Sequence, residues 1–244
     1  MENCIRLDNI NKSFGKKQVL FDVSLKIPKG CIFGLLGPSG CGKTTSVKIM
    51  AGILKQDSGS AYIMGGLMPD LSLMAQMGYM AQSAALYPTL SAYENLKFFG
   101  SVYGFRGSAL AERISKVADL VGLGYELKKT VSAYSEGMKQ RLSLAIALLP
   151  DPKVLLLDEP TVGIDPVLRK SIWKELYDLS DQGVTILVTT HVMDEAGKCH
   201  RLAMMREGVV LAEGTPAEMI KKSGSETIED AFIYFGRGGV SDES

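Results

Sequence analysis

Residues 37–45 read Gly37-Pro38-Ser39-Gly40-Cys41-Gly42-Lys43-Thr44-Thr45, an unbroken G-x-x-x-x-G-K-T pattern. The apolar run at residues 31–36 predicts a buried parallel strand in front of it. Apolar residues spaced through 44–53 predict a helix behind it. Glycines in that setting let successive backbone amides turn towards phosphate oxygens at a helix N-terminus. The stretch therefore predicts a phosphate-binding loop in which Lys43 reaches the β- and γ-phosphates and the Thr44 hydroxyl binds Mg²⁺.

Length and charge limit the class of protein. The chain has 244 residues, which suits one large α/β domain or one with a small subdomain. Lys plus Arg equals Asp plus Glu, at 27 each, and a neutral chain argues weakly against a nucleic-acid binder. The longest apolar candidate, residues 142–149, is far shorter than the ~20 residues that span a bilayer. The N-terminus lacks a basic-then-apolar signal pattern, so we expect a cytosolic product.

The four cysteines have no metal-ligand spacing, and in a reducing compartment we expect free thiols. Cys41 lies inside the phosphate loop, where a helix N-terminus could lower its pKa and make it reactive. The alternative is a small residue that fills a variable position of the loop. We favour the second interpretation.

The remaining patterns predict a layered α/β chain without internal repeats. Alternating residues at 5–10 and 19–27 predict an antiparallel layer ahead of the phosphate loop. Helical spacing then predicts a mainly helical insertion at about 88–150. The later core is predicted as strands at 78–82, 153–157 and 184–190, a helix at 166–180, a hairpin over 202–212 and a capped helix from Thr215. A glycine- and serine-rich tail from 236 to 244 is predicted to be flexible.

Two carboxylates follow a second buried strand. Asp158 and Glu159 come directly after Leu155-Leu156-Leu157, and ligands of open α/β sheets bind at that end of the strands. Asp158 is expected to hold Mg²⁺ through water and Glu159 to polarise the attacking water. A surface Asp-Glu-Pro turn is the alternative, and the phosphate loop argues against it. His191 ends another strand, where we expect a γ-phosphate contact rather than a purely structural hydrogen bond.

These motifs, taken in order over nearly the whole chain, resemble the nucleotide-binding subunit of an ATP-binding-cassette (ABC) transporter. The implied fold is a P-loop NTPase (RecA-like) α/β core with an N-terminal antiparallel β layer and a helical subdomain, in a single domain over 1–235. The phosphate loop resembles Walker A, and Asp158 and Glu159 resemble Walker B and its catalytic carboxylate. The resemblance further implies an adenine-stacking role for Phe14, Mg²⁺ and membrane-partner sensing for Gln82, dimer contact for the loop of Asp165, and a switch role for His191. A core aromatic remains the alternative for Phe14.

The family's signature, Leu-Ser-Gly-Gly-Gln, is changed in this chain. The equivalent stretch is Tyr134-Ser135-Glu136-Gly137-Met138, in which Ser135 and Gly137 match the family pattern. The resemblance implies that these two residues cap the γ-phosphate bound by the opposite subunit. A carboxylate at Glu136 favours the helix dipole but repels ATP if it points inward. Either Glu136 points away, or the shared site is weakened, as in the degenerate site of a heterodimer.

The resemblance implies an ATPase that uses ATP and Mg²⁺ and works as a head-to-tail dimer with a second nucleotide-binding subunit. It implies a separate membrane permease, with the subunit bound at the cytoplasmic face of the cell membrane. The C-terminal stretch 225–232 is similar to the closing helix of ABC-2 exporter subunits, or is an ordinary capped amphipathic helix. The alternatives are a catalytically weak or regulatory subunit, and a soluble cassette ATPase of DNA repair or translation. About fifty residues between Gln82 and Ser135 leave no room for a repair-type coiled coil, and a translation factor needs two cassettes.

Overall fold

The computed structural model describes residues 2–83 and 85–238. The chain divides into two compact units, residues 1–70 with 187–244, and residues 71–186. Strand β8 (Thr185–Thr190) crosses the boundary between them, so its first two residues belong to one unit and its last four to the other. The first unit is therefore built from two stretches of chain that are distant in sequence.

The first unit contains a four-stranded antiparallel sheet in the order β2-β1-β4-β5. Its strands are β1 (Asn3–Phe14), β2 (Lys17–Pro28), β4 (Ser58–Ile63) and β5 (Gly66–Leu67). The side chains of Ile5 and Leu7 are fully buried on one face of β1, as the alternating pattern predicts. A register shift in the pairing with β2 interrupts the alternation between Leu7 and Ile10, and Ile10 is also fully buried. The layer is larger than predicted, because β4 and β5 follow the phosphate loop in sequence and join the same sheet.

The same unit holds the strand and helix on either side of the phosphate loop. Strand β3 (Ile32–Leu36) is buried along its whole length and pairs in parallel with β9 (Arg201–Arg206). Helix α1 (Lys43–Met50) follows the loop. The hairpin of β9 and β10 (Val209–Gly214) turns at Glu207 and Gly208, both with positive φ, as a two-residue hairpin turn requires. The short helix α7 (Met193–Ala196), α8 (Pro216–Ser223) and α9 (Ile228–Gly236) contribute apolar residues that pack against Leu36 and Leu202.

The second unit combines two parallel strands with helices. Strand β6 (Met77–Met80) pairs in parallel with β7 (Val154–Asp158), which is buried at all five residues. The helices are α2 (Leu71–Met74), α3 (Ala92–Val102), α4 (Gly107–Leu120), α5 (Glu136–Leu148) and α6 (Pro166–Asp181), with short 3-10 turns at Gly124–Glu126 and Val131–Ala133. Side chains of Ser91, Ser135 and Asp165 accept backbone N–H groups at the starts of α3, α5 and α6, which are the residue types expected at an N-cap.

The predicted long elements are present with ends shifted by a few residues. The strand predicted at 78–82 ends at Met80, so Gln82 lies beyond it. Residue 236 is the last residue of α9 rather than part of a tail, and residues 239–244 of the predicted flexible tail lie outside the described residues. Within the described residues, no helix has both the length and the apolar character needed to cross a membrane.

Candidate functional site

The phosphate loop places its lysine inside the loop itself. Helix α1 begins at Lys43, directly after Gly42, whose φ of 109° is open to glycine but not to other residues. Lys43 is 4% exposed, and its Nζ donates to the carbonyl oxygens of Gly37, at 2.7 Å, and Pro38, at 3.0 Å. Pro38, Ser39 and Gly40 are exposed, and Thr44 and Thr45 are half-buried. The loop therefore presents its rim to solvent with a buried ammonium group at its centre.

The buried side chain of Cys41 packs against Gly37 of the phosphate loop. The thiol is 5% exposed, and a Cβ built on Gly37 would lie 2.6 Å from its Sγ. The Cys41 carbonyl accepts a hydrogen bond from the Gly208 N–H at 3.0 Å. The side chain thus fills space beneath Gly37, and the turn of the β9–β10 hairpin holds the backbone. This environment favours the space-filling interpretation of Cys41 over the reactive one.

His191 follows β8 in the same unit as the phosphate loop. Its side chain is exposed, whereas the preceding Thr190 is 2% exposed. The Thr190 carbonyl accepts the Gly37 N–H at 3.3 Å, so the residue before His191 is bonded to the first glycine of the loop. The structure therefore brings together two motifs that are more than 140 residues apart in sequence.

Phe14 ends β1 in the turn to β2 and is 51% exposed. The Lys12 Nζ lies 5.5 Å from the centre of its ring and pairs with Asp57 Oδ1 at 2.8 Å. The other Asp57 oxygen accepts the Ser13 N–H at 2.6 Å. The hydrogen bonds from Lys12 and Ser13 lower the pKa of Asp57. An exposed ring on an anchored turn is suited to stack on a base, which a buried core aromatic is not.

In the second unit, the side chains of Gln82 and Glu159 form a hydrogen bond. Gln82 Nε2 donates to Glu159 Oε2 at 3.2 Å, and Gln140 Nε2 donates to the Glu159 carbonyl oxygen at 3.1 Å. Glu159 is 8% exposed and has a φ of 54°, an uncommon conformation for a residue with a side chain. Asp158, the last residue of β7, is fully buried. Backbone strain and buried carboxylates of this kind cluster at functional sites.

The signature-like stretch forms the N-terminus of α5. Ser135 is the N-cap and accepts the Met138 N–H at 3.3 Å, which leaves other amides of the first turn for an anion. The side chain of Glu136 is 86% exposed and pairs with Lys139 Nζ at 2.7 Å. A Cβ built on Gly137 would lie 3.1 Å from the Gly163 carbonyl, so the signature residue packs against the loop that leads to Asp165. The Glu136 carboxylate is held by a cation one turn along its own helix.

Asp165 is exposed, and its carboxylate caps the N-terminus of α6. Its Oδ1 accepts the N–H groups of Val167, at 3.1 Å, and Leu168, at 3.0 Å. The neighbouring Val162 and Val167 are exposed apolar residues, at 49% and 82%. Exposed apolar side chains thus lie on either side of the loop at 163–166, which is compatible with the dimer contact that the family resemblance implies.

An aromatic surface in the second unit lies close in sequence to Gln82. Tyr87 and Phe98 are 45% and 44% exposed, with ring centres 5.0 Å apart. The fully buried Asn95 fixes the backbone of Tyr87, accepting its N–H at 2.9 Å and donating to its carbonyl at 3.1 Å. Exposed aromatic groups on a fixed backbone are typical of binding surfaces.

The residues predicted to bind Mg²⁺ carry suitable donor groups. Thr44 supplies a hydroxyl, Asp158 a carboxylate and Gln82 an amide oxygen, and oxygen donors are the ligands that Mg²⁺ prefers. Within residues 2–83 and 85–238 no group of three or more His, Cys, Asp or Glu side chains is placed to hold a metal ion. Mg²⁺ at a nucleotide site needs no such cluster, because one or two carboxylates suffice when phosphate oxygens and water supply other ligands.

Sequence reasoning missed three contributors to these contacts. Neither Gln140 nor Glu195 was predicted to contribute, and Asn95 was expected in a groove for the membrane partner rather than as the anchor of the Tyr87 backbone. Glu195 is 2% exposed and accepts a hydrogen bond from Thr190 Oγ1 at 2.8 Å. Its position four residues after His191 was the available signal, but an acidic residue in a short helix is more often exposed.

Comparison with known proteins gives consistent matches. The family model described as ABC transporter matches residues 20–162. The chain is 40% identical over 239 residues to the Escherichia coli (strain K12) protein named "Probable multidrug ABC transporter ATP-binding protein YbhF", covering 95% of this chain and 41% of that protein. It thus spans less than half of that relative's length. It is 37% identical over 227 residues to "Linearmycin resistance ATP-binding protein LnrL" of Bacillus subtilis (strain 168), covering 92% of this chain and 73% of LnrL.

The fold is also found among solved structures. The dimeric post-hydrolysis structure of the ATP-binding cassette MJ0796, bound to ADP and Pi, matches with a TM-score of 0.81 and 27% identity. The match covers 86% of this chain and 98% of the MJ0796 chain. It confirms the predicted P-loop α/β fold with its antiparallel layer and helices.

Proposed function

Since the chain belongs to the ABC transporter family, we propose that it is the ATP-binding and ATP-hydrolysing subunit of an exporter. The observation that carries the proposal is the buried Glu159, with its carboxylate bonded to Gln82 and its backbone bonded to Gln140. A carboxylate in that setting can accept a proton from a positioned water. The lysine at the centre of the phosphate loop supplies the matching cation for the β- and γ-phosphates.

The proposed mechanism assigns each step to residues of this chain. The amides of the phosphate loop and Lys43 hold the phosphates, and Phe14 stacks on the adenine. Thr44, Asp158 and Gln82 would hold Mg²⁺, which when bound neutralises charge on the phosphate oxygens. Glu159 orients and deprotonates the attacking water. His191 contacts the γ-phosphate and so senses whether it is present.

A second copy or a related subunit would complete the site. Ser135 and Gly137 at the start of α5 present backbone amides suited to a phosphate of the opposite subunit, and Val162 and Val167 lie on either side of the loop at 163–166 that is proposed to contact it. The solved cassette MJ0796 is described as dimeric, which supports this arrangement. ATP binding would close the dimer, and hydrolysis would open it.

The aromatic surface at Tyr87 and Phe98 is proposed to receive a helix of the membrane permease. Its closeness in sequence to Gln82 and the rigid Asn95 anchor support a role in transmitting movement to the nucleotide. The relatives' names mention multidrug transport and linearmycin resistance, which supports export as the direction. The subunit would then lie at the cytoplasmic face of the membrane.

A catalytically weak subunit of a heterodimer is the second candidate, and Glu136 is the residue that favours it. The ion pair between Glu136 and Lys139 argues against this candidate, because it partly neutralises the carboxylate on the surface of α5. We therefore propose turnover at this chain's own site.

The test compares the wild-type chain with Glu159→Gln. Wild-type turnover should rise faster than linearly with protein concentration, and the variant should bind ATP, stop turning over and form a stable dimer with MgATP. Lys43→Ala is the matched control, which should bind ATP weakly and stay monomeric. Full turnover by Glu159→Gln would refute the assigned role, and ATP binding without turnover by the wild type would favour the weak-subunit candidate.

A further inference from the structure

The backbone on both sides of His191 is held by one threonine. The Thr190 hydroxyl donates to Glu195 Oε2 at 2.8 Å and accepts the Val192 N–H at 3.0 Å. One hydroxyl can do both, because it carries one proton and two lone pairs. The Thr190 carbonyl accepts the Gly37 N–H of the phosphate loop at 3.3 Å. His191 is therefore the exposed residue between two positions that are fixed by hydrogen bonds.

The acceptor for this hydroxyl is a buried carboxylate. Glu195 is 2% exposed, and burial of a carboxylate is unfavourable unless hydrogen bonds compensate it. Burial, Cys31 and the nearby charge of Glu195 raise the pKa of Cys199 to about 12. The protonated Cys199 thiol donates to the Glu195 carbonyl at 3.5 Å. The Thr190–Glu195 hydrogen bond thus lies where water has little access, so it is stronger and more directional than an exposed one.

The contacts continue to the centre of the phosphate loop. Gly37, bonded through its N–H to Thr190, accepts the Lys43 Nζ on its own carbonyl at 2.7 Å. Glu195, Thr190, Gly37 and Lys43 form a series of bonds within one unit of the structure. None of the earlier steps of the proposed mechanism uses Thr190 or Glu195.

We infer that the Thr190–Glu195 hydrogen bond positions His191 against the phosphate loop. Thr190 and Glu195 are then positioning residues for the contact between His191 and the γ-phosphate. The inference rests on the proposed ATPase function. Loss of the bond should lower kcat, because His191 acts on the γ-phosphate during turnover. It should change ATP affinity little, because the loop amides, Lys43 and Phe14 provide binding.

The experiment uses two pairs of variants that separate shape from hydrogen bonding. Glu195→Gln keeps an acceptor oxygen and Thr190→Ser keeps the hydroxyl, whereas Glu195→Ala and Thr190→Val remove them. We expect the last two to lower kcat about tenfold, or 1.4 kcal/mol, with the dissociation constant of a fluorescent ATP analogue within about threefold of wild type. Glu195→Gln and Thr190→Ser should stay within about threefold of wild type in both kcat and the dissociation constant. Cys199→Ala, which also removes a contact to Glu195, is the control and should lower the melting temperature without changing kcat.

Combination with His191→Ala separates positioning from a merely structural effect. If Glu195 acts through His191, the double variant His191→Ala/Glu195→Ala should be no slower than His191→Ala alone. Multiplied losses, or a wild-type kcat for Thr190→Val, would overturn the inference while leaving the proposed function intact. A wild-type kcat for His191→Ala would overturn both the role proposed for His191 and this inference. If Glu195→Ala does not fold, Thr190→Val, which matches threonine in shape, decides in its place.

Discussion

Substitution of Gly37 by alanine should damage both the stability and the nucleotide affinity of the phosphate loop. The added methyl carbon would lie 2.6 Å from Cys41 Sγ, and ordinary contact begins at 3.4 Å, so it lacks about 0.8 Å of room on that side. On the other side it would overlap the backbone carbonyl of Met205, which cannot rotate away as a side chain can. The backbone of Gly37 must therefore shift.

The size of the effect follows from the loss of packing space. Overpacking typically costs about 1–3 kcal/mol, and an obstructing backbone atom places Gly37→Ala near the upper end. At about 2–4 °C per kcal/mol for a chain of this size, the melting temperature should fall by about 6–12 °C. The shift also moves the carbonyl that binds Lys43, so the affinity for a fluorescent ATP analogue should fall at least about tenfold.

Two further variants make this prediction specific. Gly197→Ala is the control, because its φ is −63° and the new methyl carbon would find its nearest atom at 3.8 Å. It should melt within about 2 °C of wild type. Gly37→Ala/Cys41→Ala should recover part of the loss but not all, since the Met205 carbonyl remains. The reasoning is refuted if Gly37→Ala melts with the wild type, or if the double variant recovers completely.

Three other predictions concern single residues. Glu136→Gly should change ATP turnover by less than about twofold at protein concentrations that support dimer formation, since the carboxylate is 86% exposed and paired with Lys139; a gain of about tenfold in turnover would mean that it faces the nucleotide of the opposite subunit. Asp165→Ala should lower stability by about 1 kcal/mol through loss of the α6 cap, measured by thermal melting, whereas Asp181→Ala at the other end of the helix should be neutral or slightly stabilising. All four thiols are buried, so Ellman's reagent at pH 8 should label the unfolded chain fully and the native chain hardly at all; rapid native labelling of Cys199, whose pKa is raised to about 12, would contradict the structure.

The sequence predicted strand β3, helix α1 and the position of Asp158 and Glu159 at the end of a buried strand, because these features are local. A glycine pattern, an apolar run and an N-cap are each readable within about ten residues. Strand β4 was missed because Ser58-Gly59-Ser60 has poor strand propensity, and its pairing with β1 decides its conformation. Gly59 is required there, since a Cβ would overlap the backbone oxygen of Asn9.

The contacts around the site were harder to predict, because they join distant residues. The Gln140 contact with Glu159 spans 19 residues, and the Gly37 contact with Thr190 spans far more. The direction of the Glu136 side chain was open from sequence, because its pairing with Lys139 depends on the side-chain conformations at the start of α5. Glutamate is a residue type that is mostly exposed, and only the burial of Glu195 in the structure indicates that it belongs to the site.

The division of the first unit between two stretches of chain has a consequence for synthesis. Strand β3, buried at every position, pairs with β9, and the Cys41 carbonyl is held by Gly208. A ribosome adding about 5–20 residues per second makes residues 71–186 before either partner exists, which leaves the nascent phosphate loop unsupported for roughly ten seconds. During that interval an apolar five-residue strand is exposed, so it is a binding segment for a chaperone. Nucleotide binding by the nascent chain should begin only once the β9–β10 hairpin has left the ribosome.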